Sequence, residues 1–457
     1  MNPEDDRPGS RFTRRQFVRT AVGVGGALVA APLIAACGGD DDEEEGAAPA
    51  AGDFTGTGKV VIGAFADGGL TPFKDVIIPL FEEETGITLE WLEDDYGTFF
   101  EKSFNDASTQ AGQYDVYILD DPWVPQFAAA GTLEDLAAGG LVADENFIPQ
   151  FIDMGYFPPR SGPRVKGFED AEPLLVASPF VGDLQTMTYR NDVFTGGAPA
   201  TWDDLVAGGK AGVDAGTVKY GFVFRGVAGN PIVTSWYPIF LSFGGTFFDD
   251  QWNVTFNDEK AKAATDFFVG ALKSIAPPGV VEFDSDQEGA AILGGEAAAI
   301  IQYSGNAIKS DNPELSQVVG QLDFGVVPAQ EKAVAQIGIF ISAVSTSAPN
   351  KENAFKFINW FAQDRIQIEL ARAGSLPVKR SAFEDAAAAE KNRLTPIALA
   401  QLDAGAEPRP RTPDWAKVEE ILGIELNKAL QRGSTDDALD VAAQQATEYL
   451  TQQGYYG

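Results

Sequence analysis

No histidine occurs anywhere in the 457 residues, and cysteine occurs once. Without imidazole the chain has no histidine-dependent triad, no histidine-ligated zinc and no imidazole proton shuttle. A lone cysteine leaves no internal disulfide. Positive charge is scarce as well: 33 lysines and arginines stand against 67 aspartates and glutamates, a formal net charge of −34. Nucleic acid and anionic membrane surfaces need clusters of Lys and Arg, so neither is expected as a binding partner. The surplus of acid favours solubility, and a salty habitat that screens self-repulsion is one setting for it. Neither an internal repeat nor a low-complexity tract follows Gly52.

The one cysteine, Cys37, stands between an apolar run and the acidic block Asp40–Glu45. Five arginines (Arg7, Arg11, Arg14, Arg15 and Arg19) precede the uncharged run Ala21–Ala36, which is broken by glycines and a proline. At 16 residues it is short of the roughly 20 that a spanning helix needs. Small residues directly before Cys37 give the cleavage pattern of a secretory signal. Thr13-Arg14-Arg15-Gln16-Phe17-Val18 resembles the twin-arginine export signal, and Ile34-Ala35-Ala36-Cys37 resembles the lipobox of prokaryotic lipoproteins. The first resemblance implies export of a folded protein through Arg14 and Arg15. The second implies that Cys37 becomes the first mature residue and carries lipid, anchoring the chain to the outer face of the cell membrane. Residues 1–36 are then a signal peptide, and 37–57 a flexible acidic tether unable to bury apolar area. Losing residues 1–36, with five arginines and three acids, makes the remainder more acidic still.

From Gly58 onward, the length is too great for one core and natural for two lobes. A hydrophobic content of 44% with 32 phenylalanines is enough to fill them. Lys59–Phe65 is a short apolar run that predicts a buried strand. Phe73, Val76, Ile77, Leu80 and Phe81 fall on one face of a helix over Thr71–Glu84, with Gly86 as its stop. Ile87–Trp91 alternates as a second strand. This β-α-β start implies a parallel sheet with a right-handed crossover. Tyr114–Leu119 is a further strand ending at Asp120-Asp121-Pro122-Trp123, and ligands of open parallel sheets bind at such carboxyl ends. Thr186–Tyr189 and Ala297–Gln302 are expected as strands, Asp258–Leu272 and Asn353–Phe361 as helices. Two helices separated at Gly433-Ser434 are expected over Thr412–Gly457.

Five motifs then appear in a familiar order. Tyr114-Asp115-Val116 through Asp121-Pro122-Trp123 is followed by Tyr189-Arg190-Asn191-Asp192-Val193-Phe194 with Pro199-Ala200-Thr201-Trp202-Asp203-Asp204-Leu205. Gly294-Gly295-Glu296-Ala297-Ala298, Ser347–Ala354 and Gly374-Ser375-Leu376-Pro377-Val378-Lys379 complete the set. Together they resemble the family 1 extracellular solute-binding proteins of ABC importers, in the sugar-binding branch similar to maltose-binding protein. The resemblance implies an α/β fold of two lobes that close like a Venus flytrap on a ligand between them. The expected division is 58–181 and 339–390 for the first lobe, and 182–338 and 391–457 for the second. Gly182 and Gly338, at the crossovers, are either hinge residues or ordinary loop residues.

A sugar site needs groups that hydrogen-bond hydroxyls and an aromatic ring to cover the apolar face. Asp120, Asp121 and Trp123 offer both within four residues, although an aspartate there could merely cap a helix and Trp123 could be core. By resemblance Asp67, Asp183, Tyr303 and Asn306 are polar ligand contacts, while Trp236, Tyr237 and Trp415 are aromatics of the cleft or the core. Trp202 and Trp360 belong to structure. The implied function is capture of a carbohydrate and delivery to an ABC permease, with no cofactor and no metal. An alternative on the same fold is an anionic cleft for a polyamine, with cation–π contacts from the aromatics. A glycoside hydrolase would need paired carboxylates held about 5 or about 6.5–9.5 Å apart; no hydrolase motif appears, so no enzymatic activity is expected.

Overall fold

The computed structural model describes residues 53–456, so Arg14, Arg15, Cys37 and most of the tether lie outside the described residues. The first strand, Lys59–Phe65, is buried at every position but its first, as its Val-Val-Ile run requires. It lies at the inside of a five-stranded sheet ordered Thr88–Asp94, Lys59–Phe65, Val116–Asp120, Phe340–Val344, Ser178–Val181. The first three strands are parallel to one another, and Phe340–Val344 runs antiparallel to both of its neighbours. A second sheet pairs Thr186–Arg190 antiparallel with Ala299–Gln302 on one side and Leu322–Gly325 on the other. Each sheet has its own hydrophobic core, one built around Val60, Ile62, Phe73 and Phe357, the other around Trp202, Trp236, Phe240 and Leu426.

The expected helix over Thr71–Glu84 is present in two parts. Pro79 cannot donate to the preceding turn, and the chain widens into a π-helical turn over Phe73–Ile77 before the α-helix Ile78–Thr85, which ends on left-handed Gly86. The two expected C-terminal helices are Trp415–Arg432 and Ala438–Gln452.

Several motif residues are structural fasteners. The wholly buried Asp115 accepts hydrogen bonds from the Val61 and Asn350 backbones at 2.8 and 2.7 Å, and from the Asn350 side chain at 3.0 Å. It thereby ties three segments of the first lobe together. Arg190 bridges Asp192, Gln321 and the Gly295 carbonyl, at 2.6, 2.8 and 3.0 Å. Thr201 caps the helix Trp202–Asp214 through the Asp204 amide. Lys379, almost fully buried, sits between Asp144 and Asp364 at 2.6 and 2.8 Å, over the ring of Phe147.

Three connections cross between the lobes: Val181 to Thr186, Gly325 to Phe340, and the segment before Trp415. The helix Thr395–Ala404 packs Ala398 and Leu402 into the first core. The expected return to the second lobe at 391 is therefore corrected to a point beyond that helix. Gly182 and Gly338 have a more specific reason to be glycine than hinge freedom. A Cβ on Gly182 would collide with the Pro377 carbonyl, and one on Gly338 would lie 2.5 Å from the Tyr303 ring. Both are sites of close approach.

Candidate functional site

Between the lobes lies a cavity of about 500 Å³ whose wall draws on both sheets and on the connections between them. Asp67, Gly68 and Phe65 enter from the end of the first strand; Asp120 from the end of the third; Asp183 and Gly338 from two crossovers. The second lobe supplies Arg225, Asn230, Tyr303 and Lys309, with Asp284, Ser285 and Asp286 from the start of the helix Ser285–Leu293. Arg409 comes from the third connection.

Strand alternation and the turn that follows separate the two adjacent aspartates. Asp120 lines the cavity, while Asp121 opens the turn Asp121–Trp123 and is wholly buried. The Arg409 guanidinium grips both oxygens of Asp120, at 3.1 and 2.6 Å, and also donates to Asp121. Arg411 donates to the Asp121 carbonyl at 2.6 Å and to the Met154 carbonyl at 2.5 Å. Burial raises the Asp121 carboxyl above its ordinary value, against the pull of Arg409.

Tyr96, the first residue of the helix Tyr96–Thr109, lies beside this cluster and donates its hydroxyl to Asp120 at 2.7 Å. Its ring packs on Trp123 with centroids 4.7 Å apart and meets Phe65 edge-on at 5.1 Å, yet the residue stays 46% exposed as part of the cavity wall. Trp123, only 7% exposed, stands behind Tyr96 among Phe65, Phe99 and Phe100. The expectation of Trp123 as a ligand platform is therefore corrected: it is the backing of the platform.

On the opposite side Asp183 accepts from both the backbone and the hydroxyl of Ser304 at 2.7 Å. Burial, with the nearby charge of Asp67, pushes its carboxyl up to about 8. Asp67 accepts from the Gly69 amide at 2.7 Å, and burial raises it too. Tyr303 donates its hydroxyl to Gln336, and its ring covers Gly338. Asn230 donates to Glu419 at 3.1 Å, and burial pushes Glu419 up to about 7. Arg225 pairs with Asp284 at 2.9 Å.

The remaining expected aromatics belong to the second core. Trp236 stacks on Phe240 at 4.2 Å and donates to Thr265 at 3.0 Å. Tyr237 packs on Phe247 and donates to the Pro408 carbonyl at 2.8 Å, so it braces the segment that carries Arg409. Trp415 meets Phe247 edge-on at 5.0 Å and is 1% exposed. All three are corrected from cleft to core, because each ring is enclosed by its own lobe. Asn306 falls on the short helix Ser304–Ala307, and its side chain lies outside the described residues. Trp202 and Trp360 are buried, as expected, with their indoles donating to Ser242 and Glu84.

Sequence reasoning missed Tyr96, Arg225, Asn230, Lys309 and Arg409. The last had a signal: Pro408-Arg409-Pro410-Arg411 puts two arginines in a proline-spaced run within a very acidic chain. Among the described residues no cluster of three or more Cys, Asp or Glu is placed to hold a metal ion. The wall instead mixes carboxylates, amide and cationic donors with the exposed ring of Tyr96 and the half-buried ring of Tyr303.

A family model for bacterial extracellular solute-binding proteins matches residues 67–368, well over half the chain. A probable amino-acid ABC transporter periplasmic-binding protein of Sinorhizobium fredii is 22% identical over 382 residues, covering 82% of this chain and 85% of that one. A mannitol-binding protein of Pseudomonas aeruginosa is 25% identical over 410 residues, covering 82% and 89%. A solved solute-binding protein of an ABC transporter from Agrobacterium radiobacter K84, in complex with ribitol, superposes with a TM-score of 0.72 at 23% identity, covering 87% of this chain and all of that one.

Proposed function

This chain belongs to the bacterial extracellular solute-binding protein family and works with an ABC transporter, and from that premise we propose that its ligand is a carbohydrate, either a sugar or a sugar alcohol. The mannitol and ribitol ligands of its relatives support that class. The observation that carries it is Tyr96: an aromatic face in the cavity wall, its hydroxyl fixed by Asp120, beside Asp67, Asp183, Arg225 and Asn230. A ring or polyol carbon chain lies on the tyrosine face while its hydroxyls exchange hydrogen bonds with the polar wall. Burial, with the nearby charge of Asp67, pushes the Asp183 carboxyl up to about 8, which favours a protonated form that can donate as well as accept there. A cavity of about 500 Å³ lies within the ordinary range for small-molecule sites.

In this reading Arg14 and Arg15 direct export, lipid on Cys37 anchors the mature chain outside the cell membrane, and the tether holds the lobes clear of it. Ligand closes the lobes and the permease receives the closed form.

Thermal unfolding of the chain from Gly52 against monosaccharides, disaccharides, sugar alcohols and polyamines tests the ligand class. A ligand of the folded state adds about 2.7 kcal/mol at a hundredfold excess over its dissociation constant. A shift with a carbohydrate, reduced in Tyr96→Ala, is expected. A shift with polyamines alone refutes the carbohydrate reading.

A further inference from the structure

The densest charge at the cavity is the meeting of Asp120, in its wall, and the buried Asp121 behind it with Arg409, while Arg411 stands 3.4 Å from the Asp121 carboxylate. Asp120 ends a first-lobe strand and Asp121 opens the turn after it, whereas Arg409 leads into the second lobe's helix Trp415–Arg432. Asp120, Asp121 and Arg409 are 8%, 0% and 3% exposed. Two buried carboxylates without a counter-charge would draw a cation from solution.

We infer that Arg409 sets the charge selectivity of this cleft: it fills, from within the chain, the cation position that Asp120 and Asp121 create, so that uncharged polyols are accepted and amines refused. The inference rests on the carbohydrate reading and deepens it. Three features show that the guanidinium is built in. Both of its terminal nitrogens are taken up by the two carboxylates, in the planar fork that arginine offers and lysine does not. Its Nε is buried without an acceptor among the described residues, which leaves a donor for a hydroxyl oxygen after a small adjustment. Its backbone is held on both sides: Pro408 and Pro410 restrict it, the Pro408 carbonyl accepts from Tyr237, and Arg411 is tied to Asp121 and Met154. The second cavity arginine, Arg225, is likewise paired inside the wall, with Asp284. Asp120 also holds the hydroxyl of Tyr96, so the balance of charge is struck beside the aromatic face on which a ligand lies.

Calorimetric titration of the full chain with D-mannitol, maltose, spermidine and D-gluconate tests this in the wild type and three variants. The wild type is expected to take a neutral carbohydrate and to give no heat with spermidine or gluconate. Arg409→Gln should gain spermidine binding and lose carbohydrate affinity by about a hundredfold, the order expected when one partner of a buried charge pair is removed. Asp120→Asn, which leaves the guanidinium with a single carboxylate, should instead gain gluconate. Arg409→Gln combined with Asp121→Asn keeps the net charge but leaves the cavity-lining Asp120 without its guanidinium, and should still gain spermidine, by less than the single variant, where the single variant does not fold. Spermidine binding by the wild type as tight as by the variants overturns the inference, as does a double variant that still refuses spermidine. If no neutral carbohydrate binds the wild type, the carbohydrate reading falls. The spermidine result in the double variant then decides the charge selection by itself.

Discussion

Behind the cavity, the second lobe holds a carboxyl group that should make stability depend on pH in a calculable way. Glu288, on the helix Ser285–Leu293, is wholly buried and accepts from Nε2 of Gln302 at 2.7 Å. The other oxygen of each side chain, Glu288 Oε1 and Gln302 Oε1, is buried with no hydrogen-bond partner among the described residues. Two acceptors left over from one pair are relieved by one proton: protonated Glu288 gains a donor for the amide oxygen. Burial pushes the Glu288 carboxyl from its ordinary 4.5 up to about 8. Between those limits the folded chain keeps a proton that the unfolded chain has lost, so this group's contribution falls as pH rises through the window and is constant above it. At about 1.4 kcal/mol per pH unit, the loss between pH 5.5 and 8 is about 3 kcal/mol. Glu288→Gln carries the uncharged geometry permanently, with an amide able to exchange hydrogen bonds with Gln302. Urea unfolding of wild type and variant at about pH 5.5 and 8.5, with linear extrapolation, should show the variant close to wild type at the lower pH and about 3 kcal/mol more stable relative to it at the higher. Other acids of the chain titrate equally in both proteins, so the difference isolates Glu288. Parallel behaviour at the two pH values, or a variant destabilised at both, refutes the reasoning.

Other outcomes follow from the cavity wall and its supports. Tyr96→Ala should weaken carbohydrate binding by about tenfold or more, the worth of a stacked aromatic face; Tyr96→Phe, which keeps the ring and loses the bond to Asp120, should cost less, and calorimetric titration separates the two. Trp123→Ala should lower stability by about 3–5 kcal/mol in urea, as a large buried aromatic does, and weaken the ligand only through the slackened Tyr96. Gly338→Ala should force the Tyr303 ring off its seat at a cost of about 1–3 kcal/mol, visible as a lower thermal midpoint and a weakened ligand together.

How much of this was legible in the sequence depends on whether the signal was local. Lys59–Phe65, Thr186–Arg190 and the paired C-terminal helices follow from apolar periodicity, β-branched runs and glycine stops, so their places could be read within a few residues. Asp67, Asp120, Asp183 and Tyr303 were also within reach, because chain ends of strands and crossovers in a two-lobed α/β fold converge on one space; the structure places all four in the cavity wall. The aromatics were not legible. Trp236 occupies a helix that is apolar on nearly every side, Asn230–Ser242, and nothing in its neighbours says whether an indole faces Phe240 or a ligand. Tyr96, for which no role was expected, takes the place expected of Trp123 for a reason that lies 27 residues away in the chain: the helix Tyr96–Thr109 brings Tyr96 over Trp123 and into the exposed position.

Arg409 is the most instructive omission. Composition led the reading toward acids, because acids are abundant, and an anionic cleft followed naturally from Asp120 and Asp121. A carboxylate in a sequence is only half of a statement, however. Whether it offers charge to a ligand or spends it inside the chain depends on a cation that, here, arrives 289 residues later. In a chain with twice as many acids as bases, each buried arginine therefore carries more information about a site than each aspartate. The same arithmetic bears on the two ligand classes left open by the sequence. Of the four aspartates that a polyamine cleft would use, Asp67, Asp120, Asp121 and Asp183, the Arg409 fork pairs with Asp120 and Asp121 before any ligand arrives.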